Sequence, residues 1–149
     1  MNSTGAVSAP RPAGTAGPHA WRVWLPAVPE AAAWARNWVR AVITVRGIPA
    51  ADTADTAVLV TSELVTNAIR SAPGATIAVC LALRPGRLRI EVHDPSHASP
   101  VMRNETGPHD ENGRGLTLVD MLADEWGWYP IPGGKSVYAI LTVGTGGAA

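Results

Sequence analysis

Residues 52–71, DTADTAVLVTSELVTNAIRS, carry the reading that decides the fold. Ala57, Val60, Leu64 and Ala68 recur at helical spacing, Ala72 continues the series, and Pro73-Gly74 ends it. The stretch therefore predicts a helix from about Thr53 to Ser71, with Asp52 as N-cap and Asp55 favouring the helix dipole. Glu63, Asn67 and Arg70 fall at i, i+4 and i+7 and form a second, polar stripe. A helix with two such stripes needs an apolar surface under one of them.

The flanking sequence supplies it. Downstream, Thr76 to Leu83 is rich in strand formers, and Arg84-Pro85-Gly86-Arg87 reads as a turn. Leu88, Ile90 and Val92 then alternate with Arg87, Arg89 and Glu91, which predicts a hairpin with one wet face. Upstream, the alternation from Ala20 to Leu25, closed by Pro26, predicts a short edge strand. Pro29-Glu30 opens a helix with Trp34, Trp38 and Val42 on its apolar face, Arg36 and Arg40 off it, and an end near Arg46-Gly47. From Asp94 to Asn112 the apolar pattern collapses into a long loop. Gly113 to Gly115 lead into a short helix through Leu116, Leu118, Val119, Met121 and Leu122 that ends near Asp124. Strands Trp126 to Tyr129 and Ser136 to Val143 follow, joined by Pro130-Ile131-Pro132-Gly133-Gly134. This order predicts an α+β two-layer sandwich, with helices packed on one face of a mainly antiparallel mixed sheet. The domain is expected over 19–143, between disordered tails at 1–18 and 144–149.

Composition removes several classes of function. The 149 residues hold 12 basic and 12 acidic side chains, so no bulk charge draws the chain to nucleic acid or to an anionic membrane. No apolar run approaches the roughly 18 residues that span a bilayer. Cys80 is the one cysteine and can form neither an internal disulfide nor a zinc cluster, as expected of a cytoplasmic protein. His19, His93, His97 and His109 match no metal-ligand spacing. No G-x-x-x-x-G-K-[ST] phosphate loop and no G-x-S-x-G nucleophile elbow occurs. Lys135 is the chain's one lysine, a bias read as genomic.

Three places could carry chemistry. Glu63 and Asn67, one turn apart, can share a magnesium ion or orient an attacking hydroxyl, and they equally suit a solvated helix face. Asp94, at a strand end, can accept a hydrogen bond from an exocyclic amine such as that of adenine, or can simply start a turn. Gly113-Arg114-Gly115-Leu116 combines close backbone approach with a helix N-terminus, which suits phosphate, although a lone G-x-G also opens ordinary loops.

Taken in order, Glu63-Leu64-Val65-Thr66-Asn67-Ala68, Asp94, the long loop, Gly113-Arg114-Gly115-Leu116 and Gly133-Gly134-Lys135-Ser136-Val137-Tyr138 resemble the Bergerat-fold ATP-binding family of gyrase, histidine kinases and MutL. More narrowly they are similar to its anti-sigma branch, the serine-protein kinases related to RsbW and SpoIIAB. The resemblance implies ATP and Mg2+ as ligands, Glu63 as the general base for an attacking serine hydroxyl, and Asn67 as the magnesium ligand. It implies Asp94 as the acceptor of the adenine amine, Ser96, Gly113, Arg114, Gly115 and Leu116 as further nucleotide-binding positions, and Ser136 as support for Asp94 through water. It also implies a sigma factor and an anti-anti-sigma (STAS-type) protein as partners, with a homodimer left open. A binding module without phosphotransfer is the competing expectation. An orphan histidine-kinase domain fits less well, because no phosphoacceptor helix precedes Trp21. Two features depart from the family pattern. Asp94-Pro95-Ser96-His97-Ala98 lacks the glycines of a D-x-G-x-G box, and Glu111 precedes Asn112.

Overall fold

The computed structural model describes residues 19–48, 51–100 and 114–144. The expected tails, Gly144 excepted, positions 101–112 of the long loop, and Gly113 lie outside them. The elements run β1 (Ala20–Pro26), α1 (Ala31–Val45), α2 (Ala51–Ser71), β2 (Thr76–Arg84), β3 (Arg87–Asp94), α3 (Arg114–Leu122), β4 (Glu125–Ile131) and β5 (Gly134–Thr142). The strands form one sheet in the order β1-β2-β3-β5-β4, and all four pairings are antiparallel. β1 is an edge strand, as its polar alternation and closing proline predict.

The expected helices form, but some boundaries and faces differ. α2 begins at Ala51, so Asp52 lies inside its first turn rather than at the cap. On α1 the buried residues are Ala31, Ala35, Val39 and Ile43, one position round from the expected tryptophan stripe. Trp38 and Val42 pack at the margin of the core, whereas Trp34 is 45% exposed. Alanine faces let α1 lie close along α2, and bulky indoles at the same positions would hold the helices apart. Arg36 crosses this seam and donates to Ser62 Oγ at 3.0 Å. β5 starts at Gly134, two residues earlier than expected, because Pro132-Gly133 alone makes the turn. Gly133 has φ +83° there, a conformation that glycine adopts without steric cost.

The core fills the space between the helices and one sheet face, with Ile77, Val79, Leu81, Leu88, Ile90, Val92, Val137, Ala139 and Leu141 pointing into it. α2 lies over the central strands β3 and β5 and touches both α1 and α3. The opposite sheet face was expected to be wet along β3, yet Glu91 is only 1% exposed. Its carboxylate is filled by donors. Arg89 Nε donates to Oε1 at 3.1 Å, Tyr129 OH and Ser136 Oγ donate to Oε2, and His93 Nε2 lies 3.3 Å from Oε2. Arg89 also stacks 4.1 Å from the Tyr138 ring centroid.

Burial alone would raise the Glu91 pKa, but hydrogen bonds from His93, Ser136 and Tyr129, together with the Arg89 charge, hold it at about 2 against an ordinary 4.5. Burial and the Glu91 contact push the Tyr129 phenol up to about 12. A depressed folded pKa stabilises the fold fully above the unfolded value and loses that stabilisation as pH falls through the folded one. Glu91 therefore contributes on the order of 3 kcal/mol at neutral pH. Urea denaturation should show that contribution disappearing between about pH 4.5 and pH 2, and Glu91→Gln should flatten the profile in that window. An unchanged slope in the variant would contradict this assignment.

Candidate functional site

Counting by twos, back from Val137 and forward from Val92, places Lys135 of β5 and Asp94 of β3 on the helix side of the sheet, and the register pairs them directly. Both are buried, with side-chain exposures of 0% and 1%. The Lys135 ammonium lies 3.1 Å from each Asp94 carboxylate oxygen and donates to Oδ1. It also donates to Ser71 Oγ at 3.1 Å. Ser71 is the last residue of α2, where a cation further complements the helix dipole. One charge thus joins the C-terminus of α2 to the adjoining ends of β3 and β5.

Ser71 is one turn beyond Asn67 and two beyond Glu63, so the polar stripe of α2 runs toward this junction. Two acceptors there lack a hydrogen-bond donor among the described residues: Asn67 Oδ1 and Asp94 Oδ2, both buried. Asp94 Oδ2 is close to the ammonium but has no N–H aligned on it. Buried acceptors without donors are uncommon, and a ligand, an ion or water is the usual explanation. A carboxamide oxygen of this kind suits Mg2+, a hard cation that takes oxygen ligands. The residues present therefore fit the implied metal.

Glu63 is half-buried, and its pKa is raised by desolvation, with the Arg70 charge opposing the rise. A carboxylate made more basic in this way suits proton abstraction near neutral pH. Gly134 has a different task. A Cβ at this position would collide with the Asp94 carbonyl oxygen and come within 2.7 Å of Pro95 Cα. Glycine lets β5 pass close enough to bring Lys135 beside Asp94.

Other expected site residues are placed as follows. Ser136 faces the opposite side of the sheet, because strand alternation points it away from Asp94, and its hydroxyl serves Glu91 instead. Ser96 supports Asp94 directly. Its N–H donates to Asp94 Oδ1 at 2.8 Å, while its Oγ accepts from Ala98 N–H at 3.1 Å. Leu116 is 3% exposed, and its apolar side chain is held by packing in the core. Arg114 and Gly115 open α3, and Gly113 lies outside the described residues. No cluster of His, Cys, Asp and Glu that could bind a metal by itself occurs among the described residues. A separate cleft of about 210 Å³ between Thr53, Thr56, Leu122 and Asp124 lies toward the other end of β5 and holds none of these residues.

Sequence reasoning missed Lys135 and Ser71. The signal was present. Lys135 is the one lysine among arginines, and it continues the core-facing series Val137, Ala139 and Leu141.

Lys135→Met would leave Asp94 buried without its counter-charge and should destabilise the fold by about 3–5 kcal/mol in urea denaturation. The double variant Lys135→Met with Asp94→Asn should recover most of that loss. Gly134→Ala should cost about 2–4 kcal/mol through the backbone collision. A neutral result for either single variant would show that the junction is not held as described.

A family model for the histidine kinase-like ATPase domain matches residues 25–141. No curated protein sequence matches the chain. Among solved structures, the RsbU and RsbW domains of Rv1364c from Mycobacterium tuberculosis are similar, with a TM-score of 0.62 and 22% identity over 83% of this chain and 32% of that one. This chain thus spans about a third of that structure, and at this identity the likeness is one of fold.

Proposed function

Because the chain belongs to the histidine kinase-like ATPase domain family, and so to a family of ATP-binding domains, we propose that it is a regulatory protein of the anti-sigma type. On this reading it transfers phosphate from ATP to a serine of a STAS-type antagonist and holds a sigma factor when that antagonist is phosphorylated. The observation that carries the reading is the junction at the end of α2. The Lys135 ammonium joins Ser71, one turn from Asn67, to Asp94, and each side of the junction presents a buried acceptor without a donor. Asp94 Oδ2 receives the amine of the base, Asn67 Oδ1 faces the phosphates, and the first turn of α3 lies against them. Asn67 would hold Mg2+, which neutralises phosphate charge when bound.

In the transfer, the serine oxygen forms a bond to the γ-phosphorus as the bond from that phosphorus to the bridging oxygen breaks, and ADP leaves. Glu63 takes the hydroxyl proton. Its ionised form is required, so its raised pKa sets the lower pH limit of transfer and the rate increases as pH rises through it. A cytoplasmic location goes with this role, and no described helix is long and apolar enough to cross a membrane.

Mg-ATP at about a hundred times its Kd should stabilise the chain by about 2.7 kcal/mol and raise Tm by roughly 5–10 °C. Asn67→Ala should abolish the shift. Glu63→Ala should keep it while slowing transfer to a candidate antagonist by roughly 10²–10⁴-fold. Absence of any shift at millimolar Mg-ATP would leave the nucleotide-free interaction module as the surviving reading.

A further inference from the structure

On the reading that a nucleotide binds beside Asp94, we infer that Lys135 is a specificity-determining residue, which restricts Asp94 to a single free acceptor and thereby selects a 6-aminopurine over guanine. A carboxylate oxygen offers about two acceptor positions. Those of Asp94 Oδ1 are taken by the Ser96 N–H at 2.8 Å and the Lys135 ammonium at 3.1 Å. Oδ2 lies 3.1 Å from the same ammonium but has no aligned donor among the described residues, so an acceptor position remains open on it. Adenine presents one exocyclic amine on its pairing edge, which a single oxygen can accept. Guanine presents N1–H and the 2-amine side by side, and a carboxylate grips that pair with both of its oxygens at once. With Oδ1 filled, the second of those bonds has no acceptor, and the 2-amine of guanine is buried without a partner, which costs binding energy that adenine does not lose.

Lys135 is not free to move aside. Its side chain is fully buried, its ammonium is tied to Ser71 Oγ, and its backbone is fixed by pairing with Asp94 and by the close approach at Gly134. It acts through Asp94 and need not touch the base, so it is a positioning residue whose effect should appear in base selectivity rather than in stability alone.

Equilibrium binding of ATP, GTP and ITP to the full chain separates the alternatives, since ITP is GTP without the 2-amine. In the wild type ATP should bind at least tenfold tighter than GTP, and GTP no more than about threefold tighter than ITP. In Lys135→Met, with its fold checked by circular dichroism, GTP should gain about tenfold over ITP. Lys135→Gln, whose amide can still donate to Oδ1, should keep the wild-type pattern. If GTP clearly outbinds ITP in the wild type, both Asp94 oxygens are available and the role given to Lys135 is wrong, whether or not Lys135→Met folds. A folded Lys135→Met that still treats GTP and ITP alike overturns it equally. Failure of the wild type to bind any of the three, ATP included, instead removes the nucleotide reading itself, and the role of Lys135 with it.

Discussion

A positive charge buried beneath a helix end is the constraint around which this site is organised. An ammonium taken out of water is tolerated only when oxygens surround it, and for Lys135 these come from Ser71 on α2 and Asp94 on β3. Meeting that demand sets the spacing of three elements. It holds the C-terminus of α2 against the ends of β3 and β5, and so fixes where the polar stripe through Glu63 and Asn67 stands relative to Asp94. Gly134 follows from the same demand, since β5 must pass the Asp94-Pro95 backbone too closely for any Cβ.

β3 carries two buried acids, Glu91 and Asp94, three residues apart, and strand alternation puts them on opposite faces of the sheet. Glu91 is surrounded by Arg89, Tyr129, Ser136 and His93, and its carboxylate is strongly acidic as a result. It serves the fold. Asp94 has one oxygen occupied by Ser96 and Lys135, and the other beside the same ammonium but without an aligned donor. A carboxylate left half-served inside a protein is poised for a ligand that brings its own N–H. Two acids of similar burial are thus assigned different roles by their donors.

Much of the architecture was legible because period decides it. The two-residue alternation of β1 and β3 and the four-residue recurrence in α2 gave both the element types and their order. The stripe on α1 was misjudged because tryptophan outweighs alanine in apolar area, whereas close helix packing favours the smaller residue and moves the indoles to the margin. Of the site, Glu63, Asn67 and Asp94 could be picked out, since a carboxylate, a carboxamide and a strand-end aspartate suggest chemistry from residue type and position. Ser136 was assigned to the wrong partner because one residue along a strand reverses the face. Lys135 was passed over because a single lysine among arginines reads as a genomic bias, and only three-dimensional pairing shows the carboxylate and hydroxyl that permit its burial.

The central claim is that Asn67 and Asp94 serve one nucleotide, with Lys135 deciding which oxygen of Asp94 is left for the base. A crystal structure with Mg2+ and a non-hydrolysable ATP analogue tests it most directly. The account predicts the phosphates at Asn67, the base amine within hydrogen-bond distance of Asp94 Oδ2, and Lys135 still bonded to Oδ1 and Ser71. A nucleotide bound elsewhere, or one that meets Asp94 only after Lys135 has left it, would contradict the account.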